Sequence, residues 1–377
     1  MRTILLYNKS YAISRKMVLS FLSLVAFVAQ AQQMETKVDY KTEFSKLDSN
    51  NNSALEREEV VQTWAQLRTY DTDKNNKISL EEFSKYNIPY LKTKGTINLN
   101  VKYKSTKEED LYLDIYYPST KSDTKGYPIM LYTHGGGWFT GSKENITRSP
   151  VNEPFLALVE QGFAVVSINY RLTKLKSVLM KDCVVDAMDA VRYLSKNQKS
   201  LGLDANRVYV LGDSAGGHLA QMITLANPND FKGDKNLFGN PYKVIAGVSW
   251  YGPSDFTEKR FFETNDPSKE ADRFSSRITK TEKNPDKIAA MYKEMSPVFY
   301  LTKNSPPLFM MAADNDTTIP VIHAYHMKEK ADSIQANVEM LIVKNAGHNW
   351  RKAGGNIEPT LEVITQKTVD FFLKYKL

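Results

Sequence analysis

A serine flanked by glycines at the end of an apolar run is the residue best placed to act as a nucleophile. The run is RVYVL at 207–211, and GDSAGG follows it at 212–217, which sets Ser214 in a G-x-S-x-G pattern. This pattern is typical of a sharp strand-to-helix turn that exposes a strained serine at the edge of a sheet. Small residues two before and two after the serine let strand and helix approach closely. For the motif alone, a plain β-α turn is the alternative.

A glycine-rich loop upstream offers the groups that such a nucleophile requires. HGGGW at 134–138 follows the apolar run IMLYT at 129–133. Successive glycines leave backbone N–H groups uncovered, so we predict that Gly136, Gly137 and Ala215 stabilise a developing oxyanion. The alternative is a flexible glycine turn. We interpret His134 as a brace for the loop and Trp138 as a candidate wall of the substrate site.

A serine hydroxyl becomes a good nucleophile only when a base takes its proton and a carboxylate orients that base. Among five histidines, His348 alone follows a late apolar run, 338–343, on a glycine-containing loop, so we predict that it is the base. Asp314 and Asp316 both follow the buried run 307–312. Either carboxylate would lie at the carboxyl edge of a parallel sheet, near the histidine.

Residues from about 95 to 377 resemble the α/β-hydrolase esterases grouped near hormone-sensitive lipase, and among them the bacterial acetylxylan and feruloyl esterases. The resemblance rests on HGGGW, GDSAGG and the late Gly-His, together with LDIYYP at 113–118, INYRL at 168–172, WYGPSDF at 250–256, SPVFY at 296–300 and PPL at 306–308. In these relatives an Asp-x-x-Val-Pro pattern carries the acid. Its spacing to Pro320 favours Asp316, which leaves Asp314 as a turn-capping carboxylate. Two departures fall in this loop, Ala312-Ala313 in place of His-Gly and Thr317 in place of proline.

Apolar runs and helical patterns alternate through the last two thirds of the chain, as expected of a doubly wound, mostly parallel sheet of about eight strands. The predicted strands are 97–103, 111–117, 128–133, 163–168, 207–211, 244–250, 308–312 and 338–343. The predicted helices are 152–161, 180–196, 214–226, 322–335 and 359–375. We interpret the acids of 180–196 as solvated or structural and Arg171 as a brace. A charged insert at 257–295 is a possible cap, and its aromatic residues either contact substrate or pack the insert down.

Two acidic loops between 40 and 90 resemble an EF-hand pair with calcium ligands at fixed positions. The candidate ligands of the first loop are Asp48, Asn50, Asn52, Ala54 through its carbonyl, and Glu59; those of the second are Asp71, Asp73, Asn75, Lys77 through its carbonyl, and Glu82. Both loops lack the usual glycine at position 6, where Ser53 and Asn76 stand instead. The apolar residues at position 8, Leu55 and Ile78, would pack between the loops. The alternative is a polar linker that binds nothing.

Residues 1–31 have the features of a secretory signal peptide. Arg15 and Lys16 precede an apolar run from Met17 to Ala29, and the small residues Ala29 and Ala31 mark a cleavage site after Ala31. The run is too short for a stable membrane span. The leader holds four basic and no acidic residues, so its removal lowers the formal charge from +7 to +3, and no basic-aromatic array suggests nucleic-acid binding. We expect a secreted or periplasmic protein, with translation starting at Met1 or Met17.

Together the motifs and the resemblance imply a secreted serine esterase that works through an acyl-enzyme and needs no metal or cofactor for catalysis. The resemblance indicates acetyl or feruloyl groups on plant polysaccharide as the ester substrate. A carboxylesterase or lipase for small lipophilic acyl esters is one alternative. A calcium-dependent binding module with an inactive hydrolase domain is an alternative from another class. The sequence does not fix the oligomeric state.

Overall fold

An eight-stranded sheet organises the structure, a computed structural model that describes residues 38–123, 125–266 and 268–377. The signal peptide predicted at 1–31 lies outside these residues. The strands are β1 (Ile97–Ser105), β2 (Asp110–Tyr116), β3 (Tyr127–Thr133), β4 (Ala164–Ile168), β5 (Leu203–Asp213), β6 (Val244–Trp250), β7 (Leu308–Ala313) and β8 (Val338–Val343). All eight occur where apolar runs predicted them. The central strands are continuously apolar because helices cover both faces of the sheet.

The strand order brings the chemistry-bearing loops to one edge of the sheet. The order is β1-β2-β4-β3-β5-β6-β7-β8, with β1 and β2 antiparallel to their neighbours and the strands from β4 to β8 parallel. Thr133 pairs with Gly212, and Asp213 pairs with Trp250, so β3, β5 and β6 end side by side. Loops that leave parallel strands at their carboxyl ends gather at this edge.

Helices pack on both faces of the sheet. They are α1 (Tyr40–Leu47), α2 (Trp64–Leu67), α3 (Leu80–Lys85), α4 (Asn152–Glu160), α5 (Met180–Lys196), α6 (Gln198–Leu201), α7 (Ala215–Leu225), α8 (Ser275–Ile278), α9 (Pro285–Glu294), α10 (Ile322–Ile334) and α11 (Leu361–Lys374). Short 3₁₀ turns span Arg68–Tyr70, Lys143–Thr147, Pro228–Asp230, Lys259–Phe262, Pro297–Tyr300 and His348–Trp350. One core lies beneath α5 and α7, and a second lies beneath α4 and α11. The five long predicted helices are all present.

A buried ion network ties α5 to the edge strand β1. Lys104 Nζ lies 2.6 Å from Asp186 and 2.7 Å from Asp189, and both carboxylates are fully buried. Arg171 Nε donates to Asp186 at 2.8 Å, which gives this arginine the bracing role predicted for it. The acids of this helix were interpreted as solvated or structural, and Asp186 and Asp189 are structural.

The charged insert at 257–295 contacts the loop that follows β7 at the carboxyl edge of the sheet. Lys269 Nζ donates to Thr317 Oγ1 at 2.7 Å, and Arg273 Nη2 donates to the Thr318 carbonyl at 2.8 Å. The aromatic residues Phe262 and Phe274 are buried against the main core. Of the two interpretations of the insert's aromatics, packing holds for these two rings.

The paired-loop segment, residues 40–90, packs on the sheet face that carries α4 and α11. Leu55 and Ile78 form a two-bond antiparallel bridge, with N···O distances of 2.9 and 3.0 Å, and both side chains are fully buried. Ser53 and Asn76 adopt φ values of +66° and +59°, the left-handed conformation that glycine usually supplies at this position. Between the loops the chain forms the short α2 and a 3₁₀ turn. The segment's apolar side chains are continuous with the second core.

Within the residues described above, no helix is long and apolar enough to cross a membrane.

Candidate active site

Ser214 lies at a strained turn between β5 and α7. Its φ and ψ are +53° and −118°, and its N–H donates to the Trp250 carbonyl at 2.8 Å. The turn is tight because the neighbouring backbones leave no room for side chains: a Cβ on Gly216 would lie 1.8 Å from the Thr133 carbonyl oxygen. Thr133 Oγ1 donates to the Gly216 carbonyl at 2.8 Å and fixes the approach of helix and strand. The serine hydroxyl is thereby held at the carboxyl edge of the sheet.

His348 joins Ser214 to Asp316 in one hydrogen-bonded chain. The Nε2 atom lies 2.8 Å from Ser214 Oγ, and Nδ1 lies 2.7 Å from Asp316 Oδ2. The Asp316 side chain is fully buried, and its other oxygen accepts the N–H groups of Thr318 at 2.7 Å and Ile319 at 2.9 Å. A carboxylate held in this way favours the tautomer with the proton on Nδ1, which leaves Nε2 free to accept the serine proton.

The competing carboxylate, Asp314, accepts hydrogen bonds from groups other than the histidine. Its Oδ1 atom accepts the Asn315 side-chain amide at 2.7 Å and the Ala346 N–H at 3.3 Å. Asp314 therefore holds the turn that follows β7, and the spacing argument selected the carboxylate that contacts the histidine.

The glycine loop of 134–138 is anchored to the serine turn by a buried carboxylate, Asp213. Its Oδ1 atom accepts the Gly135 N–H at 2.9 Å and the Tyr132 hydroxyl at 2.7 Å. The next two glycines adopt left-handed φ values, +121° at Gly136 and +63° at Gly137. Neither of their N–H groups donates a hydrogen bond to any part of the chain that the structure describes. Ala215 is the first residue of α7, where an N–H has no acceptor within the helix.

His134 braces this loop, as predicted. Its ring is fully buried and stacks on Tyr170 with a centroid distance of 4.2 Å, and the Tyr170 hydroxyl donates to the His134 carbonyl at 2.7 Å. Burial lowers the pKa of His134 to about 4, which keeps the imidazole neutral near pH 7.

Trp138, the predicted wall of the substrate site, is buried in this structure. The residue has a left-handed φ of +57°, which turns the indole inward, and the side chain is fully buried. Its Nε1 donates to His218 Nδ1 at 3.2 Å, and its ring packs edge-on against Phe256 and Phe274. Sequence position beside the glycine loop gave no signal of this backbone conformation.

The candidate calcium ligands of the second loop lie close together. One carboxylate oxygen each from Asp71, Asp73 and Glu82 falls within 4.8 Å of the other two. The Glu82 carboxylate accepts the N–H groups of Thr72 at 2.7 Å and Ser79 at 2.9 Å. Hydrogen bonds of this kind lower the pKa of Glu82 to about 2, so the carboxylate is charged.

The first loop repeats this arrangement with fewer charges. Glu59 accepts the N–H groups of Ser49 at 2.8 Å and Glu56 at 3.0 Å, while Asp48 accepts those of Asn52 and Ser53. The other candidate ligands of the two loops, Asn50, Ala54, Asn75 and Lys77, stand within these turns. The two loops thus share one backbone design, and the second has more carboxylates.

Two site residues escaped the sequence analysis. Asp213 occupies a variable position of the serine motif, although a carboxylate at the end of a buried strand was a usable signal. Tyr251 has a φ of +40°, and its ring lies edge-on to His348 at 5.0 Å. No sequence pattern identified its contact with the histidine, because that contact depends on the packing of two loops.

The fold and the site define the class of the protein. It has the α/β-hydrolase fold, with a serine, a histidine and an aspartate joined by hydrogen bonds in that order. Solved structures agree on the fold. The chain superimposes with a TM-score of 0.59 on the thermophilic esterase Est2 of the Planctomycetes species Thermogutta terrifontis, at 21% identity, covering 73% of this chain and 91% of that one. A truncated carbohydrate esterase from gut microbiota also gives 0.59, at 23% identity, with coverages of 74% and 96%.

The family follows from the sequence comparison. The BD-FAE family model matches residues 113–331, more than half of the chain, and the chain belongs to this family. The esterase LipC of Mycobacterium tuberculosis (strain ATCC 25618 / H37Rv) is 27% identical over 244 residues, covering 64% of this chain and 58% of LipC. The probable carboxylic ester hydrolase LipM of that strain is 28% identical over 213 residues, covering 56% and 47%. The chain therefore spans about half the length of these curated relatives.

Proposed function

We propose that this protein is a serine esterase that removes acetyl or feruloyl groups from plant polysaccharide through an acyl-enzyme. The observation that carries the proposal is the unbroken chain of hydrogen bonds from Ser214 through His348 to Asp316. Membership of the BD-FAE family and similarity to proteins named as esterases support the same reaction class. An inactive hydrolase domain is disfavoured because all three residues are present and in contact.

In the proposed reaction, Ser214 Oγ attacks the ester carbonyl carbon and its proton passes to His348 Nε2. The oxygen that becomes negative lies among the N–H groups of Gly136, Gly137 and Ala215. His348 then gives the proton to the leaving alkoxide, the C–O bond breaks, and the acyl group stays on Ser214. Water attacks this ester next, losing its proton to His348, and the acid departs as the serine hydroxyl is restored. Asp316 holds the imidazole throughout.

The packing beneath the glycine loop supports a short acyl group. Trp138, Phe256, Phe262 and Phe274 fill the space on the insert side of the loop, and all four are buried. We infer that this packing leaves little room there for a long aliphatic chain, which makes the lipophilic-ester alternative the weaker one. Feruloyl and acetyl groups differ in size. The hydrolysis rates of the two esters therefore measure the room that is available for the acyl group.

The decisive experiment is hydrolysis of p-nitrophenyl acetate, butyrate and octanoate, of methyl ferulate and of acetylated xylan. Wild type is compared with Ser214→Ala and with Ser333→Ala, a matched change at an exposed serine of α10. We expect turnover of the short esters, a loss of roughly 10⁴-fold or more in Ser214→Ala, and none in Ser333→Ala. Full activity in Ser214→Ala would refute the mechanism. A preference for octanoate would favour the lipophilic substrates instead.

We further propose that the paired loops bind calcium. Hard carboxylate and carbonyl oxygens at these positions suit this ion, and the second loop offers Asp71, Asp73 and Glu82. The ion would supply charge neutralisation among these carboxylates and would take no part in ester hydrolysis.

We propose as well that the protein is secreted or periplasmic, on the grounds of the leader pattern at 1–31. N-terminal sequencing of the exported protein tests this, with Gln32 as the expected first residue. A retained Met1 or Met17 would contradict it.

A further inference from the structure

A polar cleft opens beside the serine and has no role in the mechanism above. Its volume is about 370 Å³, within the range of small-ligand sites. Its lining includes Gly136 of the glycine loop and three residues that border the catalytic pair: Asp213, next to Ser214; Asn349, next to His348; and Tyr251, which packs against the His348 ring. These neighbours place the cleft beside Ser214 and His348.

The paired-loop segment forms part of this cleft. Gln62 and Gln66, from the stretch between the two loops, both line it. The Gln62 side-chain amide donates to the Tyr170 carbonyl at 3.0 Å, and Tyr170 in turn holds the His134 carbonyl. A segment that the sequence separates from the hydrolase domain is thus fixed against the glycine loop.

The chemistry of the lining is unusual for a ligand site, because amides, hydroxyls and cations outnumber apolar side chains. Two amide oxygens of the lining, Gln62 Oε1 and Asn145 Oδ1, have no hydrogen-bond donor among the described residues. An unpaired buried acceptor is unfavourable, so a hydroxyl donor that reached either oxygen from the cleft would be a favourable partner. Polyhydroxylated molecules offer many such donors.

Charge adds a second element of selectivity. Arg148 and Lys174 line the cleft with exposed side chains, while its only lining carboxylate among the described residues, Asp213, is buried beneath the glycine loop. The lining therefore carries more cationic than anionic side chains. A ligand with a carboxylate is attracted to it, and that attraction weakens as salt is added.

The proton transfer from His348 assigns this cleft to the alcohol part of the ester. His348 must hand its proton to the departing oxygen, so the leaving alcohol lies next to this histidine. Asn349, its neighbour in the chain, borders the cleft. The aromatic cluster around Trp138 occupies the space on the insert side.

We propose that this cleft binds the leaving alcohol, and that Gln62, Gln66, Arg148 and Lys174 select a polyhydroxylated alcohol bearing carboxylates, as in a glycan substituted with uronic acid. The paired-loop segment is then a specificity element of the enzyme. The inference rests on the proposed esterase function for its placement on the alcohol side, whereas glycan binding in the cleft can be measured without turnover.

The binding arm uses calorimetry with a glucuronoxylo-oligosaccharide that carries no acetyl groups, compared with a neutral xylo-oligosaccharide of the same length. We expect wild type to bind the acidic chain about tenfold more tightly, and the double variant Arg148→Gln/Lys174→Gln to abolish that preference. Lys367→Gln, at an exposed lysine of α11, is the matched control and should retain it. Equal affinity for the two oligosaccharides, or no binding to either, would overturn the proposal.

The kinetic arm compares the acetylated acidic oligosaccharide with p-nitrophenyl acetate, whose leaving group is not a sugar. Gln66→Ala should lower kcat/KM for the oligosaccharide about tenfold more than for p-nitrophenyl acetate. Gln66 is exposed, so this variant should fold even if Gln62→Ala does not, and Gln366→Ala on α11 serves as control. An equal loss on both esters, or no loss, would contradict a leaving-group role. Absence of p-nitrophenyl acetate hydrolysis in wild type, with glycan binding retained, would instead refute the esterase function.

Discussion

At the scale of single residues, Asp213 illustrates how one buried carboxylate positions the oxyanion donors. It accepts both the Gly135 N–H and the Tyr132 hydroxyl, so it links the serine turn to the glycine loop. We predict that Asp213→Ala lowers kcat roughly 10- to 100-fold with a smaller change in KM, because displacement of the loop impairs the transition state more than substrate binding.

The conservative variant separates this positioning role from a general loss of structure. Asp213→Asn keeps an oxygen that can accept both hydrogen bonds, so it should recover most of the activity lost in Asp213→Ala. Steady-state kinetics on p-nitrophenyl acetate measure both variants. If Asp213→Asn were as poor as Asp213→Ala, the charge of this residue would matter and the loop-anchoring argument would be wrong.

At the scale of elements, the junction of β3, β5 and α7 depends on the absence of one side chain. A Cβ on Gly216 would lie 1.8 Å from the Thr133 carbonyl oxygen, and the three nearest atoms are all backbone, which prevents an easy shift. We predict that Gly216→Ala lowers the melting temperature by several degrees or more, or prevents folding. Gly347→Ala is the comparison, because its nearest contact would be 3.5 Å and its φ is −101°. Thermal unfolding of the two variants checks this, and equal stability would contradict the close-packing argument.

The interface between the paired-loop segment and the sheet carries a pH-dependent element. Burial raises the pKa of Glu109 from about 4.5 to about 7, and its Oε1 atom has no hydrogen-bond partner among the described residues. Between these two pH values the folded chain retains a proton that the unfolded chain releases. Stability therefore falls as pH rises from about 4.5 to about 7, and the loss persists above that range.

Replacement of this carboxyl by an amide removes the titration. We predict that Glu109→Gln is more stable than wild type at pH 8 by roughly 1–3 kcal/mol and that the difference disappears below about pH 4.5. Denaturant unfolding across this pH range measures it. Glu329→Gln, on the exposed face of α10, controls for a change of net charge. A pH-independent difference would show that Glu109 is ionised in the folded protein.

At the scale of elements, the sequence predicts most of the strands and the residues that the sheet brings together. The strands from β3 to β8 are short apolar runs bounded by turns, and local pattern suffices to place them. Ser214, His348 and Asp316 follow from motif and strand order, because parallel strands share one edge. The burial of Trp138 was not predicted, since its left-handed backbone conformation is decided by packing around His218 and Phe256. The sequence indicated the insert only as a charged segment, and the three-dimensional contacts of Arg273 and Lys269 show where the insert lies.

At the scale of the whole molecule, the paired-loop segment shares a core with the hydrolase domain. Phe44 and Phe83 of the segment belong to one buried cluster with Tyr112 of β2 and Phe372 of α11. The Glu43 carboxylate also accepts the Asn100 side-chain amide at 2.9 Å. Sequence reasoning treated the segment as a separate unit, because contacts distant along the chain leave no local pattern. A shared core implies that segment and sheet unfold together.

Calcium binding would consequently stabilise the entire protein. A ligand that binds only the folded state at about 100 times its Kd adds roughly 2.7 kcal/mol, so we predict that millimolar calcium raises a single melting transition by several degrees. Glu82→Gln should remove most of this rise, because it weakens the loop with the most carboxylates, whereas Glu81→Gln, an exposed neighbour paired with Lys85, should not. Differential scanning calorimetry with calcium and with chelator gives the answer. Two transitions, of which calcium shifts only the lower, would show that the segment folds independently of the sheet, and the shared core would then contribute little to its stability.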